Sequence, residues 1–327
     1  MLIWASEFMF AQDMPFVSQY FDLQSLYNPA ATGVTGTLKI ALDGRIDSVG
    51  SVDKTENLSA LAEGGYDFGN LRIGGGLKFT GVKRTPDNMM RGALNLSLGY
   101  RIGNGFLSFG LSPGIIRGKI GQNGSSDSGN ENSGNEDENQ EVANKESYDY
   151  KRINATSFDI GIGLLFSYKD LWISASGLHL TNPKFTIKRT GYVEDENDNY
   201  SYVTREAAQR TFYFGGGYNI TVKKSLWYVE PSFMLSAMKP STQWQATVRL
   251  KFRNLFFAGI GWRSKKTGTI IAGIEYKGFH LSYSYDHGFS SAPDGYKYGG
   301  HELLAWYSVT FDVIKQKKYR QKSVRIL

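Results

Sequence analysis

Gly110-Leu111-Ser112-Pro113-Gly114 carries the literal spacing of a G-x-S-x-G nucleophile elbow, and His179, His280, His287 and His301 are the histidines that could serve such a serine as general base. An elbow works only where a strand turns sharply into a helix, so that the hydroxyl stands clear of the sheet. Here the five residues lie within alternating sequence and no helical period follows them. The simplest reading is a Gly/Pro irregularity in a strand, and no catalytic residue is assigned. The run Glu194-Asp195-Glu196-Asn197-Asp198 could hold calcium weakly, but it lacks the glycine spacing of an EF-hand and reads better as solvated surface. Gly74-Gly75-Gly76 and Gly215-Gly216-Gly217 follow no βαβ pattern, so they cradle no phosphate; in strands such glycines mark bends or close approach. With no cysteine in the chain, thiol catalysis, disulfides and Cys-ligated zinc are excluded. The reading is therefore of a protein without enzyme activity, cofactor or metal.

The elements that carry these residues have a period of two. Leu94, Leu96, Leu98, Tyr100 and Ile102 alternate with Ala93, Asn95, Ser97, Gly99 and Arg101. Ile73, Leu77 and Phe79 oppose Arg72, Gly74, Gly76 and Lys78; Trp244, Val248 and Leu250 oppose Gln245, Thr247, Arg249 and Lys251; Phe279, Leu281, Tyr283 and Tyr285 oppose His280, Ser282, Ser284 and Asp286. A soluble sandwich would alternate too. The connections decide between them. Strands are expected at about 36–48, 56–68, 70–80, 91–102, 105–118, 151–168, 170–180, 205–221, 225–239, 241–253, 254–264, 268–277, 278–288 and 301–312. Even-numbered connections are tight, such as Gly69-Asn70, Lys169-Asp170 and Lys277-Gly278. The odd-numbered ones are mostly longer, including Gly81 to Met90, Lys119 to Tyr150, Thr181 to Thr204 and Phe289 to Gly300. Short turns on one rim and long loops on the other are the asymmetry of an outer-membrane barrel. A mean hydropathy of -0.35 and the lack of an apolar run near the ~18 residues of a membrane helix exclude a helical bundle but not a barrel, whose strands face lipid on one side only. The predicted class is all-β, a transmembrane antiparallel β-barrel of about fourteen strands. Its inward set is mixed in sign (Lys39, Asp43, Arg45, Arg72, Lys78, Arg101, Arg249, Lys251, Glu275, Asp286, Glu302), as suits a wet or ion-paired lumen rather than a single-sign ion filter.

The organisation follows. Residues 1–11 are expected to be a signal-peptide remnant, with a clipped start because no Lys or Arg precedes the apolar part. Residues 12–35 form a lead-in, periplasmic or luminal, that could plug the barrel, and 36–312 form the barrel. Within it, 121–147 holds seven acids, one lysine and no aromatic residue, and is expected to be a disordered external loop. That loop carries a net charge of -6, leaving +12 to the rest of the chain against the formal +6. Half of this excess lies in a basic tail, 313–327, expected in the periplasm. Lys315, Lys317, Lys318 and Arg320 are its candidates for docking an acidic partner or lipid phosphates. Nucleic acid is not an expected partner in either compartment.

Two segments go beyond periodicity. Gln12-Asp13-Met14-Pro15-Phe16-Val17-Ser18-Gln19-Tyr20, followed by Tyr27-Asn28-Pro29-Ala30-Ala31-Thr32-Gly33, resembles the start of mature PorP/SprF proteins; Tyr283-Ser284-Tyr285-Asp286 with Gly299-Gly300-His301-Glu302-Leu303 resembles their closing hairpin. The acidic loop and the tail beyond Phe311 depart from the family. The resemblance implies an outer-membrane component of the type IX secretion and gliding machinery of Bacteroidetes. Its partners would be a periplasmic peptidoglycan-binding lipoprotein, the secretion ring, or a secreted adhesin. It makes Phe16, Ser18, Gln19, Tyr20, Asn28 and Pro29 candidates for partner binding, and Tyr285, Asp286, Gly299, Gly300, His301 and Glu302 a structural motif. Pairing of the last two strands would bring His301 and Glu302 to hydrogen-bond Asp286 or His287; the alternative is an external contact of Gly299 to Glu302 with the secreted partner. The alternative reading is a passive porin or uptake channel, which has no need of a distinctive segment before its first strand.

Overall fold

The computed structural model describes residues 17–47, 54–84, 87–120, 153–189, 201–222, 226–239, 241–264, 266–289 and 299–310. Phe16, the expected signal remnant, the acidic loop 121–147 and the tail with Lys315, Lys317, Lys318 and Arg320 lie outside them.

Alternation builds a single closed sheet. Its first strands are β1 (Leu38–Asp47), β2 (Thr55–Phe68), β3 (Leu71–Arg84), β4 (Asp87–Ile102), β5 (Gly105–Ile120), β6 (Ile153–Tyr168) and β7 (Leu171–Leu178). A separate hairpin, β8 (Lys184–Arg189) with β9 (Ser201–Glu206), interrupts the wall. The wall resumes with β10 (Thr211–Tyr218), continued past Asn219 by the short β11 (Ile220–Val222). It finishes with β12 (Trp227–Met238), β13 (Thr242–Phe252), β14 (Phe256–Arg263), β15 (Thr267–Tyr276), β16 (Phe279–Gly288) and β17 (Gly300–Val309). Each stave pairs antiparallel with its sequence neighbour in the wall, and β1 closes on β17 from Leu38 opposite Val309 to Asp47 opposite Gly300. With β10 and β11 as one stave, the barrel has fourteen.

The period-two pattern places the chain's greasy residues outside. Leu94, Leu96, Leu98, Tyr100 and Ile102 are exposed on the outer surface while Ala93, Asn95 and Ser97 are buried inward. This is the inversion a barrel in lipid requires.

Two expected loops are partly strand. β3 and β4 run on to Arg84 and Asp87, so Gly81 to Met90 is mostly a paired hairpin, with Glu56 opposite Lys83 on the neighbouring β2. The expected loop from Thr181 to Thr204 contains most of the β8–β9 hairpin, and the following wall strand starts at Thr211 rather than 205. The G-x-S-x-G pentad lies inside β5. Pro113 has no N–H to give β4, and the β4–β5 register passes from Ala93 opposite Gly114 to Leu96 opposite Leu111 without pairing between them.

Candidate functional site

The lumen is where the sequence concentrates polar residues, and the described part of the lead-in fills it. Chain from Val17 to Thr37 begins near the long-loop rim and descends to the short-turn rim, where β1 starts. A four-residue helix, Gln24–Tyr27, is followed by a 3-10 turn, Pro29–Ala31. Asn28 starts that turn: its side chain accepts from the Ala30 N–H at 2.9 Å, and Pro29 occupies the first position, where no N–H is needed. Val17, Tyr20, Phe21, Leu23, Leu26 and Tyr27 are buried in one cluster with wall residues including Leu61, Leu178, Tyr213, Phe257 and Leu304. Lower down, Ala30 and Val34 pack on Phe106 and Leu165.

A segment with so little regular structure cannot satisfy its own carbonyls, and buried carbonyls need partners. The wall supplies them. Lys39 Nζ donates to Asp22 O (2.5 Å), Asn95 to Ser25 O (2.9 Å), Lys78 Nζ to Leu26 O (2.9 Å), Ser176 to Tyr27 O (2.7 Å), Ser97 to Thr32 O (2.7 Å), and Arg72 to Val34 O. Glycines permit this closeness. Gly33 has φ +66° and lies so near Gly64 and Gly65 that a methyl group at either Gly33 or Gly65 would strike the facing backbone.

Near the long-loop rim the lead-in meets the closing hairpin. The N–H groups of Ser18 and Gln19 donate to the two oxygens of Glu302, at 2.7 and 3.0 Å. Ser18 Oγ donates to Asp286 at 2.7 Å, and Ser18 O accepts from Gln245 at 2.9 Å. Arg45 ties these acids together, at 2.6 Å from Asp286 and 3.0 Å from Glu302, with Arg263 3.3 Å from Asp286 on the other side. Deeper in the lumen, Arg249 pairs with Asp22 of the lead-in (2.8 Å) and with Glu230 (2.6 Å). Its guanidinium stands between the rings of Phe21 and Phe257. Lys251 and His280 both reach Glu275, at 3.0 and 3.1 Å. Beside the lead-in, Arg91 and His179 hold Asp159 at 2.7 and 3.1 Å. Above it, Phe185 of the β8–β9 hairpin is buried against Ile116, Ala207 and Ala208.

The residues singled out from sequence fall as follows. Ser18, Gln19, Tyr20, Asn28 and Pro29 are buried, and the contacts described for them are with the lead-in itself and the barrel wall. Asp286 and Glu302 form the seat for Ser18 and Gln19. Gly299 makes the return into β17 with φ +73°. The partners expected for His301 and Glu302 are corrected. Consecutive strand residues face opposite sides, so Glu302 points inward to Arg45 and the lead-in, while His301 faces outward, 2.6 Å from the Tyr283 hydroxyl and against the Tyr285 ring. Ser112 is buried in mid-strand, not presented on an elbow. The sequence reading missed Arg91, Asp159, Arg263 and Glu230; their signal was a charged residue at an inward position of a greasy strand. Among the described residues, no three or more His, Asp or Glu side chains are grouped so as to hold a metal ion.

Fourteen antiparallel staves with an apolar outer belt, tight turns on one rim and a polar lumen occupied by the chain's own N-terminal segment define an outer-membrane β-barrel protein. Residues 9–307 match the family of type IX secretion system membrane proteins PorP/SprF, and the chain belongs to that family. No curated protein matches it. Among solved structures it is similar to the toluene transporter TbuX of Ralstonia pickettii, with 10% identity and a TM-score of 0.50 over 86% of this chain and 91% of that one. It is also similar to the toluene transporter TodX of P. putida, with 10% identity and a TM-score of 0.48 over 88% and 94%. At 10% identity the likeness to TbuX shows the fold alone.

Proposed function

We propose that this barrel is a non-conducting, non-enzymatic membrane anchor and partner-binding module of the type IX secretion and gliding machinery. It would hold a periplasmic peptidoglycan-binding lipoprotein, the secretion ring or a secreted adhesin at the outer membrane. The observation that carries this reading is the filled lumen. A solute pore needs a continuous wet path, whereas here a buried segment is fixed by charge-assisted bonds at Glu302, Asp286 and Arg249. In this reading the basic tail with Lys315, Lys317, Lys318 and Arg320 offers the partner contact. Ser18 to Tyr20 and Asn28-Pro29 keep the lead-in seated, and together with Phe16 they are the residues a partner would meet once the lead-in leaves the lumen.

The competing reading is a passive porin or uptake channel. Conductance of the purified protein in planar bilayers separates the two: closed bilayers are expected for the intact chain, with steps appearing after removal of 12–35. Steady single-channel steps from the intact chain would refute the anchor reading. Crosslinking and co-purification from native outer membranes identifies the partner.

A further inference from the structure

At the short-turn rim, five described hairpins share one backbone feature. The residue that follows the strand's last position has positive φ in each: Gly69 (+64°), Gly103 (+59°), Lys169 (+56°), Arg253 (+51°) and Lys277 (+48°). That conformation favours glycine, and a long side chain there is strained. Two turns use glycine; three place a cation instead. Turn formation therefore does not explain the choice of Lys or Arg.

The three cations also share a direction. Lys169 Nζ lies 5.3 Å from the Tyr168 ring centroid, the Arg253 guanidinium 5.3 Å from Phe252, and Lys277 Nζ 5.1 Å from Tyr276. Each of these rings ends a strand on its lipid-facing side, and Tyr168 and Tyr276 are exposed there. Each cation is itself exposed and stands over a ring that belongs to the lipid-facing side of its strand. An aromatic residue at the membrane interface with a cation over it sits at the depth of lipid headgroups.

We propose that Lys169, Arg253 and Lys277 are lipid sites, each holding the phosphate of an anionic phospholipid at the short-turn rim, and that they fix the depth and tilt of the barrel. The turns with Gly69 and Gly103 carry no such site.

The test compares the full chain with its Lys169→Gly, Arg253→Gly, Lys277→Gly triple variant in nanodiscs of phosphatidylcholine, with and without phosphatidylglycerol. Retained lipid is read by native mass spectrometry and unfolding by heating. The intact protein is expected to retain phosphatidylglycerol preferentially and to melt higher in its presence. The variant is expected to lose about fivefold of that preference per cation removed, while melting no lower in pure phosphatidylcholine because glycine relieves the turn. A swap that keeps the charges, Lys169→Arg with Arg253→Lys and Lys277→Arg, should keep the preference. An unchanged lipid preference in the glycine variant would overturn the proposal, and would reassign the cations to an acidic periplasmic protein should capture of such a protein be lost instead. A lower melting temperature of the variant in pure phosphatidylcholine would also overturn it, by showing that the cations serve the turns.

Discussion

Ser18 and Glu302 stand 284 positions apart in sequence and are joined directly, the Ser18 N–H donating to Glu302 Oε2 at 2.7 Å. The next N–H, of Gln19, takes the other oxygen, so one carboxylate clamps two consecutive peptide groups. The two ends of the chain that carry the family resemblance are thus one structural unit. Arg45 on β1, the strand that pairs with β17 to close the sheet, neutralises the clamp.

Glu302→Ala is expected to be severe. It leaves two buried N–H donors and the Arg45 guanidinium without this acceptor, and breaking a buried, hydrogen-bonded charge pair costs about 3–5 kcal/mol. Glu302→Gln keeps one acceptor and should cost less. Thermal unfolding and protease cleavage within 17–35 would measure both. Equal, native-like melting and protection in both variants would show that the clamp contributes nothing.

A second prediction concerns close approach. Gly65→Val places branched carbon where the Gly33 carbonyl lies. The barrel should still assemble, since β2–β3 pairing is unaffected in register, but the lead-in should be displaced. Because the chain lacks cysteine, Tyr27→Cys gives a single reporter. Its thiol should resist a water-soluble maleimide in the parent and react in the Gly65→Val background.

Much of this was legible in the sequence, for an identifiable reason. Leu94 to Ile102 alternates cleanly because lipid on one side and a packed lumen on the other impose opposite demands on successive residues. The signal fails where that contrast ends. Lys83 and Asn88 pair on strands that extend past the apolar belt, where both faces are polar, so this part of the hairpin reads as loop. The β8–β9 hairpin is hidden for another reason: its strands are only six residues long, so the alternation of Phe185 and Ile187 is too brief to stand out from a long loop. Inward charges such as Arg249 and Asp286 were readable as a set. Their bonds to Asp22 and Ser18 were not, because no local pattern states how far a lead-in climbs inside a barrel.

Removing 121–147 should leave the barrel intact. Ile120 and Ile153 are paired at the end of β5 and β6, so residues 148–152 remain to close the hairpin. Shortening the connection lowers its closure entropy cost by about 1–2 kcal/mol. Heat-modifiable gel mobility should therefore persist, with a melting temperature equal to or above that of the parent. Loss of the folded band would mean that the acidic segment takes part in assembly.

Neutralising the tail is expected to act on partner capture and not on folding. The residues are Lys315, Lys317, Lys318 and Arg320, which come after β17 in the sequence; β17 itself ends at the short-turn rim. Exposed ion pairs are individually worth about 0–1 kcal/mol, so single changes should be nearly silent. Together the four can steer and retain an acidic periplasmic partner. That attraction should weaken as the Debye length shrinks from about 10 Å at 0.1 M salt to about 3 Å at 1 M. A block substitution to glutamine should therefore reduce pull-down of periplasmic lipoprotein or ring components at low salt and flatten the salt dependence of what remains, leaving barrel melting unchanged. The same partners recovered with the same salt dependence would move the contact away from the tail, to the lead-in and the turns beside it.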